Sequence, residues 1–238
     1  EPEAWSLRWY RQMVGISSIG DTTVVTDKWM LGTRNSFIIG ISATLLATAL
    51  GTIAALGLSR RNMPFKGTIM AILISPMIVP LIITSAGMFF FYSKIGLTHT
   101  YLGLILAHTA LGTPFVVITV TATLTGFDTN LIRASQSLGA DTMRTFFKVI
   151  MPLILPGIIS GALFAFITSF DEVVVVMFVG SVEQITIPKQ MWAGLRQETS
   201  PVILCMATCL VLLSIALLTT VELLRRRSER LRGIKLRN

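Results

Sequence analysis

Five long apolar runs alternate with polar stretches along the chain, and each run is long enough to form a membrane-spanning helix. An α-helix rises about 1.5 Å per residue, so about 20 apolar residues cross the hydrocarbon core of a bilayer. The pattern therefore predicts an all-α membrane protein, a single domain over residues 1–238 with a bundle of five transmembrane helices. The predicted spans are residues 37–58, 68–92, 101–124, 153–179 and 202–224.

Two of these spans should depart from a straight helix. Pro76 and Pro80 lie inside the second run, so its helix should be bent or locally broken. The fourth run has about 27 residues, which is about 40 Å of straight helix. This length exceeds the hydrocarbon core, so its far end must tilt, bend or emerge.

The longest polar stretch in the middle of the chain, residues 126–152, is predicted to contain two short helices. Asp128 can cap a helix that runs to about Leu138, and Gly139 can end that helix in a left-handed turn. Asp141 can cap a second helix that runs to Pro152. A connector needs only a few residues. This stretch, called the central insert below, is therefore predicted to be a docking element for a second protein.

The positive charge of the chain is typical of a membrane edge rather than of a nucleic-acid site. The chain has a net charge of +8 and a mean hydropathy of +0.73. Seven of its twenty Lys and Arg lie in the basic tail, residues 225–238, directly after the fifth apolar run. Such clusters mark cytoplasmic membrane edges. No nucleic-acid partner is predicted.

Lys and Arg also predict the orientation of the spans. The loops 59–67, 125–152 and 225–238 hold thirteen of them, and the alternate segments 1–35, 94–100 and 180–201 hold seven. The positive-inside rule then places the central insert, the tail and the C-terminus in the cytoplasm and residues 1–35 outside. Because an N-terminus outside needs an earlier signal or span, a sixth span is expected upstream of Glu1.

The motifs of common enzymes are missing from the sequence. It has no Gly-x-x-x-x-Gly-Lys-Ser/Thr phosphate loop, no acidic pair suited to Mg²⁺ on a cytoplasmic loop, no nucleophile elbow and no zinc-ligand helix. Cys205 and Cys209 lie four apart in an apolar run, without further ligands nearby. The chain is therefore predicted not to be an enzyme and to bind no cofactor or metal itself.

Three ionisable residues lie inside apolar runs. Asp171 and Glu172 are adjacent near the outer end of the fourth run, and His108 lies within the third. A charge near the bilayer centre costs about 2.5 to 3.5 kcal/mol, so these groups need water, a cation or a partner. They are candidates for the lining of a translocation path. The alternatives are interfacial carboxylates that cap or snorkel, and a histidine in a hydrogen-bonded helix contact.

The central insert resembles the cytoplasmic coupling motif of ABC importer permeases. That motif reads Glu-Ala-Ala, three residues, Gly, nine residues, Ile-x-Leu-Pro, and this chain keeps its spacing with Arg133 in place of the Glu and Ser135 in place of the second Ala. Flanking blocks SLRWYRQM, HTALGTPFVVITVTATLTGFD and SFDEVVVVMFV resemble the spermidine and putrescine permeases. The resemblance implies that the ATPase-coupling residues are Arg133, Ala134, Ser135, Gly139, Ala140, Asp141 and Pro152.

The resemblance further implies a type I ABC importer permease fold in a bacterial inner membrane. In that family, two ATPase subunits bind ATP and Mg²⁺, a second and usually related permease completes the pathway, and an extracytoplasmic binding protein delivers the solute. Pro188 can start a short outer helix, and Met191, Trp192 and Leu195 on it are expected either to contact that binding protein or to lie on the membrane surface. A carboxylate-lined path suits a cationic polyamine.

Three alternative functions remain open. The chain could be an ABC importer permease for another small solute, such as an opine, an amino-acid-like compound or another organic cation. A secondary transporter or channel would share the composition but would not need the central insert. A non-transporting membrane scaffold would keep the insert but would not need acids within the membrane.

Overall fold

The computed structural model describes residues 7–13, 23–60, 62–126, 128, 130–197 and 201–231. Every regular element within these ranges is helical, as the sequence predicts. The α-helices are α1 Arg8–Met13, α2 Thr23–Leu58, α3 Lys66–Ile78, α4 Leu81–Ile95, α5 Tyr101–Thr125, α6 Asn130–Ser137, α7 Thr142–Thr145, α8 Met151–Phe170, α9 Val174–Val179, α10 Ile187–Gln197 and α11 Pro201–Leu231, and a π-turn, Phe146–Ile150, joins α7 to α8.

Among the described residues, four helical segments are long and apolar enough to cross a membrane. The pair α3 and α4 makes a fifth if its two bent halves count as one span. The break lies at Val79 and Pro80, which confirms the broken second span. Val79 takes the extended conformation, with φ −71° and ψ 134°, because a following proline disfavours helical backbone. The other spans are Asp27–Leu58, Tyr101–Thr125, Thr142–Phe170 and Pro201–Thr220.

The first span begins earlier than the predicted residue 37, because α2 begins at Thr23 and includes residues 23–35, which the sequence pattern placed in an external segment, residues 1–35. Trp29 lies in this segment but is only 3% exposed. Asn35 and Ser36 are also buried. The side chains of Asn35 and Ser36 form hydrogen bonds with backbone groups inside the protein, so they do not need water. Residues 1–6 and 14–22 of the predicted external segment lie outside the described residues.

The ends of the fourth and fifth spans also differ from the prediction. Instead of continuing to residue 179, α8 ends at Phe170, and a break at residues 171–173 separates it from α9. Helix α11 continues to Leu231, past the predicted end at residue 224 and into the basic tail. Residues 232–238 of that tail lie outside the described residues.

By their contacts, the residues fall into two compact units. The first unit comprises Glu1–Ile41, Leu81–His108 and Phe170–Thr220, and the second comprises Ser42–Pro80, Thr109–Ser169 and Val221–Asn238. The core of the first unit contains Trp29, Ile187, Val202, Ile203 and Met206. The core of the second contains Ala47, Ala55, Val116, Val120, Ile154 and Ala165.

Small residues allow helices of the second unit to approach closely. A Cβ added to Gly51 of α2 would come within 2.7 Å of the Val116 Cβ on α5, and one added to Gly161 of α8 would come within 2.7 Å of the Val116 Cα. Side chains larger than glycine would therefore force these helices apart. Small residues in the first span therefore serve helix contact, as is common in membrane proteins.

Candidate functional site

The N-terminal half of the central insert folds as its sequence predicts. The Asp128 Oδ1 accepts a hydrogen bond from the Asn130 N–H at 2.9 Å, at the start of α6. The helix ends at Ser137, and Gly139 follows in the left-handed region with φ 82°. A side chain at this φ costs about 1 to 2 kcal/mol. The predicted cap at Asp128 and the left-handed turn at Gly139 are both confirmed.

The C-terminal half of the insert is capped as predicted but does not end where predicted. The Asp141 Oδ1 accepts from the Arg144 N–H at 2.7 Å and caps α7. Pro152 was expected to end this helix, yet the helical path continues through it to Phe170. A π-turn lies directly before Pro152, and in it the Met151 N–H donates to the Phe146 carbonyl. Pro152 has no N–H with which to continue the backbone bonds of the helix.

A side-chain contact joins the two halves of the insert. The hydroxyls of Ser135 and Thr145 lie 3.1 Å apart, and Thr145 is only 2% exposed. Ser135 stands where the related motif has alanine, so this bond depends on the departure from the motif. The other predicted coupling residues are half-buried or exposed: Arg133, Ala134, Gly139, Ala140, Asp141 and Pro152.

Large apolar side chains of the insert remain exposed. Leu138 is 89% exposed, Met143 is 64% exposed and Phe147 is 57% exposed. Beside them lies an open depression of about 520 Å³, lined by Gly139, Asp141, Met143, Arg144, Phe147 and Lys148. Exposed apolar groups edged by charged residues are typical of a surface that another protein covers.

The acidic pair lies in the break between α8 and α9, so the expectation that both residues lie on one continuous helix is wrong. Asp171 is exposed, whereas Glu172 is 7% exposed. The Glu172 Oε1 accepts from the Val175 N–H at 2.9 Å and caps α9. Burial raises the pKa of the Glu172 carboxyl, which lies two residues beyond the end of the span, and its backbone hydrogen bonds oppose this shift. Asp171 is therefore the carboxylate available to a cation.

His108, the third predicted path residue, is 1% exposed in the interior of α5. The structure thus separates the three candidates by exposure: one open carboxylate, one capping carboxylate and one buried imidazole. This burial favours the interpretation of His108 as a helix contact, since intramembrane polar groups normally face the protein interior.

The short helix predicted at Pro188 is present and divides its residues between core and surface. Helix α10 begins at Ile187, one residue before Pro188. Met191 packs against the core of the first unit. Trp192 is 48% exposed and Leu195 is 59% exposed, so these two side chains are available for a partner.

The sequence pattern missed a buried polar cluster that fixes the loop before α10. The Asn35 Nδ2 donates to the carbonyls of Glu183 at 2.8 Å and Ile185 at 2.9 Å, and its Oδ1 accepts from the Tyr101 hydroxyl at 2.8 Å. The Ser36 Oγ accepts from the Ile187 N–H at 2.9 Å. The only signal in the sequence was the polar pair Asn35 and Ser36 directly before an apolar run, and it did not indicate partners so distant in the chain.

Lys189 is another residue that the sequence pattern did not single out. Its Nζ lies 3.2 Å from the carbonyl oxygens of both Val176 and Ser181. Burial lowers the pKa of this lysine. Within the part of the chain that the structure describes, no group of three or more His, Cys, Asp or Glu side chains is placed to hold a metal ion.

Comparisons with known proteins agree on a class of membrane transport component. The family model described as "Binding-protein-dependent transport system inner membrane component" matches residues 47–230. The spermidine/putrescine transport system permease protein PotC of Haemophilus influenzae is 28% identical over 227 residues, which are 95% of this chain and 84% of that protein. The putrescine transport system permease protein PotI of Escherichia coli is 29% identical over 217 residues, 87% of this chain and 73% of that protein.

Solved structures support the same fold. An inward-facing structure of the MetNI methionine ABC transporter superposes with a TM-score of 0.63 and 22% identity, over 91% of this chain and all of that chain. A bacterial ABC transporter that imports the acidic polysaccharide alginate gives a TM-score of 0.63 with 14% identity, over 92% of this chain and 87% of that chain. At these identities the likeness concerns the fold.

Proposed function

We propose that this chain, which belongs to the family of binding-protein-dependent transport system inner membrane components, is the membrane-spanning subunit of an ATP-driven polyamine importer. The family consists of multi-pass inner-membrane transport components rather than catalytic enzymes. This fits the apolar helices of the chain. The proposal adds the energy source, the substrate class and the roles of individual residues.

The central insert carries the proposal. Its two halves are capped by their own side chains and joined at Ser135 and Thr145, so the insert can transmit a displacement as a unit. Its exposed Leu138, Met143 and Phe147 supply an apolar surface of the kind that docks into a groove on a partner. The partner proposed here is an ATP-binding cassette ATPase, which would bind ATP and Mg²⁺.

The relatives and the acidic turn support a polyamine as the substrate. PotC and PotI are named for spermidine and putrescine transport, and these compounds carry several ammonium groups. Asp171 is exposed at the turn after α8. A carboxylate attracts ammonium ions and disfavours anions. Asp171 is therefore proposed to contact the substrate, with Glu172 shaping the turn.

The orientation of the spans and the usual partners of the family lead to further assignments. The distribution of Lys and Arg favours a cytoplasmic C-terminus and a cytoplasmic central insert. Helix α10 then lies outside, where Met191, Trp192 and Leu195 would help to receive a solute-binding protein. A second, related permease chain would complete the pathway. ATP-driven closure of the ATPase subunits would move the insert, open the path outward and admit the polyamine, and ATP hydrolysis would reset the transporter.

Substitution of Gly139 tests the proposed coupling. Gly139→Val forces a β-branched side chain into a left-handed turn, whereas Gly139→Asn places there a residue that tolerates this conformation. No atom lies within 4 Å of a Cβ added at Gly139, so the two variants differ mainly in backbone strain. In the complete transporter, Gly139→Val should lose ATP-driven uptake of labelled spermidine while still inserting in the membrane, and Gly139→Asn should keep most of it.

Two outcomes would contradict the proposal. Uptake that persists after ATP depletion would identify a secondary transporter or channel. Uptake that unlabelled putrescine does not reduce, but an amino acid or an opine does, would replace the polyamine with another solute.

A further inference from the structure

Helix α9 is too short to be stable by itself. It is held by the fully buried side chains of Val175, Val176 and Val179, by a bond from the His99 N–H to the Val179 carbonyl, and by the groups that bind its ends. Isolated helices below about 12 to 15 residues are marginal in water, and α9 has 6 residues. At its N-terminus, the Glu172 carboxylate accepts from the Val175 N–H. A negative group there matches the helix dipole, and a positive group would match it at the other end.

Lys189 supplies that positive group. Its ammonium donates to the carbonyl of Val176, in the last turn of α9, and to the carbonyl of Ser181 just after the helix. These two carbonyls are the hydrogen-bond partners that the structure gives it within the described ranges. Hydrogen bonds from a charged donor are roughly twice as strong as neutral ones. Lys189 is half-buried, which excludes much of the competing water.

The position of Lys189 on α10 places it beside the exposed surface of that helix. Residues three apart on a helix are neighbours, so Lys189 lies next to Trp192, which is 48% exposed. Within one helical turn, α10 therefore presents an aromatic side chain to the outside and an ammonium to the end of α9.

Other contacts fix the loop between α9 and α10 but do not replace this link. Asn35 binds the carbonyls of Glu183 and Ile185, and Ser36 binds the N–H of Ile187. These bonds attach the loop and the start of α10 to α2. The Lys189 ammonium instead joins the body of α10 to α9, whose other end begins directly after the acidic turn at Asp171 and Glu172.

We propose that Lys189 is the positioning residue that couples docking of the external binding protein on α10 to the acidic turn before α9. Binding of the external protein to Trp192 and Leu195 moves α10. Because the Lys189 ammonium is bonded to the last turn of α9, α9 moves as well. The displacement of α9 then changes the position of the Asp171 carboxylate. This inference rests on the proposed function, because it assigns a route between two of its sites.

The test uses the complete transporter in proteoliposomes with its polyamine-loaded binding protein. Lys189→Met should keep the basal ATPase rate and the affinity for the binding protein but reduce stimulation of the ATPase by about tenfold, a typical size for coupling between two sites. Lys189→Arg, which can still donate to both carbonyls, should restore most of the stimulation. Lys94→Met is the matched control, because Lys94 is an exposed lysine in the last turn of α4 and should leave stimulation unchanged.

Gly180→Ala gives an independent test if Lys189→Met does not assemble. A Cβ at Gly180 would come within 2.8 Å of the Val176 carbonyl oxygen, so it displaces the acceptor of Lys189 without changing any charge. It should also reduce stimulation while leaving docking intact. Two outcomes would overturn this inference but not the proposed function. One is full stimulation of the ATPase in both variants. The other is a loss of binding-protein affinity in Lys189→Met that equals the loss of stimulation. A wild-type transporter that polyamine does not stimulate would contradict the proposed function.

Discussion

The central insert and the segment from Asp171 to Gln197 are both polar interruptions between apolar helices, yet they are held in opposite ways. Bonds in the insert join residues 2, 3 and 10 positions apart. The other segment has local bonds as well, but the bonds that attach it to α2 join residues 148, 150 and 151 positions apart. The insert also leaves Leu138 and Phe147 exposed, whereas the other segment buries Gln184 and Ile187.

This difference indicates which part of the molecule can move as a unit. A segment held by its own caps keeps its shape when it is displaced, because no long-range bond has to break. A segment held by buried side chains from a distant helix loses those bonds when it moves, and unpaired buried groups are costly. The insert therefore suits displacement as a whole, and the anchored loop before α10 suits a fixed point about which α10 can turn.

The largest expected effect comes from removing the anchor of that loop. Asn35→Leu deletes the amide that binds two carbonyls and the Tyr101 hydroxyl, although that hydroxyl can still donate to the Glu183 carbonyl. Three hydrogen bonds are lost, and at about 1 kcal/mol for each the loss of stability should be about 3 kcal/mol. Thermal unfolding of the purified transporter in detergent should show a clear drop in Tm.

Tyr101→Phe is the control for that experiment, because it removes one hydroxyl and leaves both Asn35 bonds to the loop. Its loss of stability should be about 1 kcal/mol. An equal loss in the two variants would contradict the role assigned to the Asn35 amide.

A smaller effect is expected from a cap in the insert. Asp141→Ala removes the acceptor of the Arg144 N–H, and loss of such a cap typically costs about 1 kcal/mol. Because this bond is local, the Tm of the transporter should change little while ATP-driven uptake falls. Asp141→Ser keeps a capping oxygen and should retain uptake. A drop in Tm as large as that of Asn35→Leu would contradict the conclusion that the insert is held by local bonds and the other segment by long-range bonds.

The smallest effect is expected at Arg133, where the related coupling motif has glutamate. Arg133 is exposed, and exposed ion pairs contribute about 0 to 1 kcal/mol. Arg133→Glu should therefore change the amount of ATPase that copurifies only slightly, at low and at high ionic strength. A strong loss at low salt alone would show that Arg133 faces an acidic groove on the ATPase.

The two regions also differ in how far their structure was predictable from sequence. The turns at Asp128, Gly139 and Asp141 were predicted because each depends on bonds within five residues. The end of α8 at Phe170 was not, since the apolar run after Glu172 has the composition of a continuing span. The burial of Trp29 and Asn35 was also missed, because it depends on partners that only the tertiary fold brings together.

The π-turn at Phe146–Ile150 has a practical consequence for the placement of probes on this helix. Positions seven apart on an α-helix return to nearly the same face, because a turn has about 3.6 residues. Yet Ile154 is fully buried while Phe147, seven positions earlier, is 57% exposed. A π-turn holds more residues than an α-turn, so a helical wheel drawn from α8 assigns the wrong face to the insert. Positions in the insert for cysteine cross-linking or spin labels should be chosen by the exposure of each side chain in the structure.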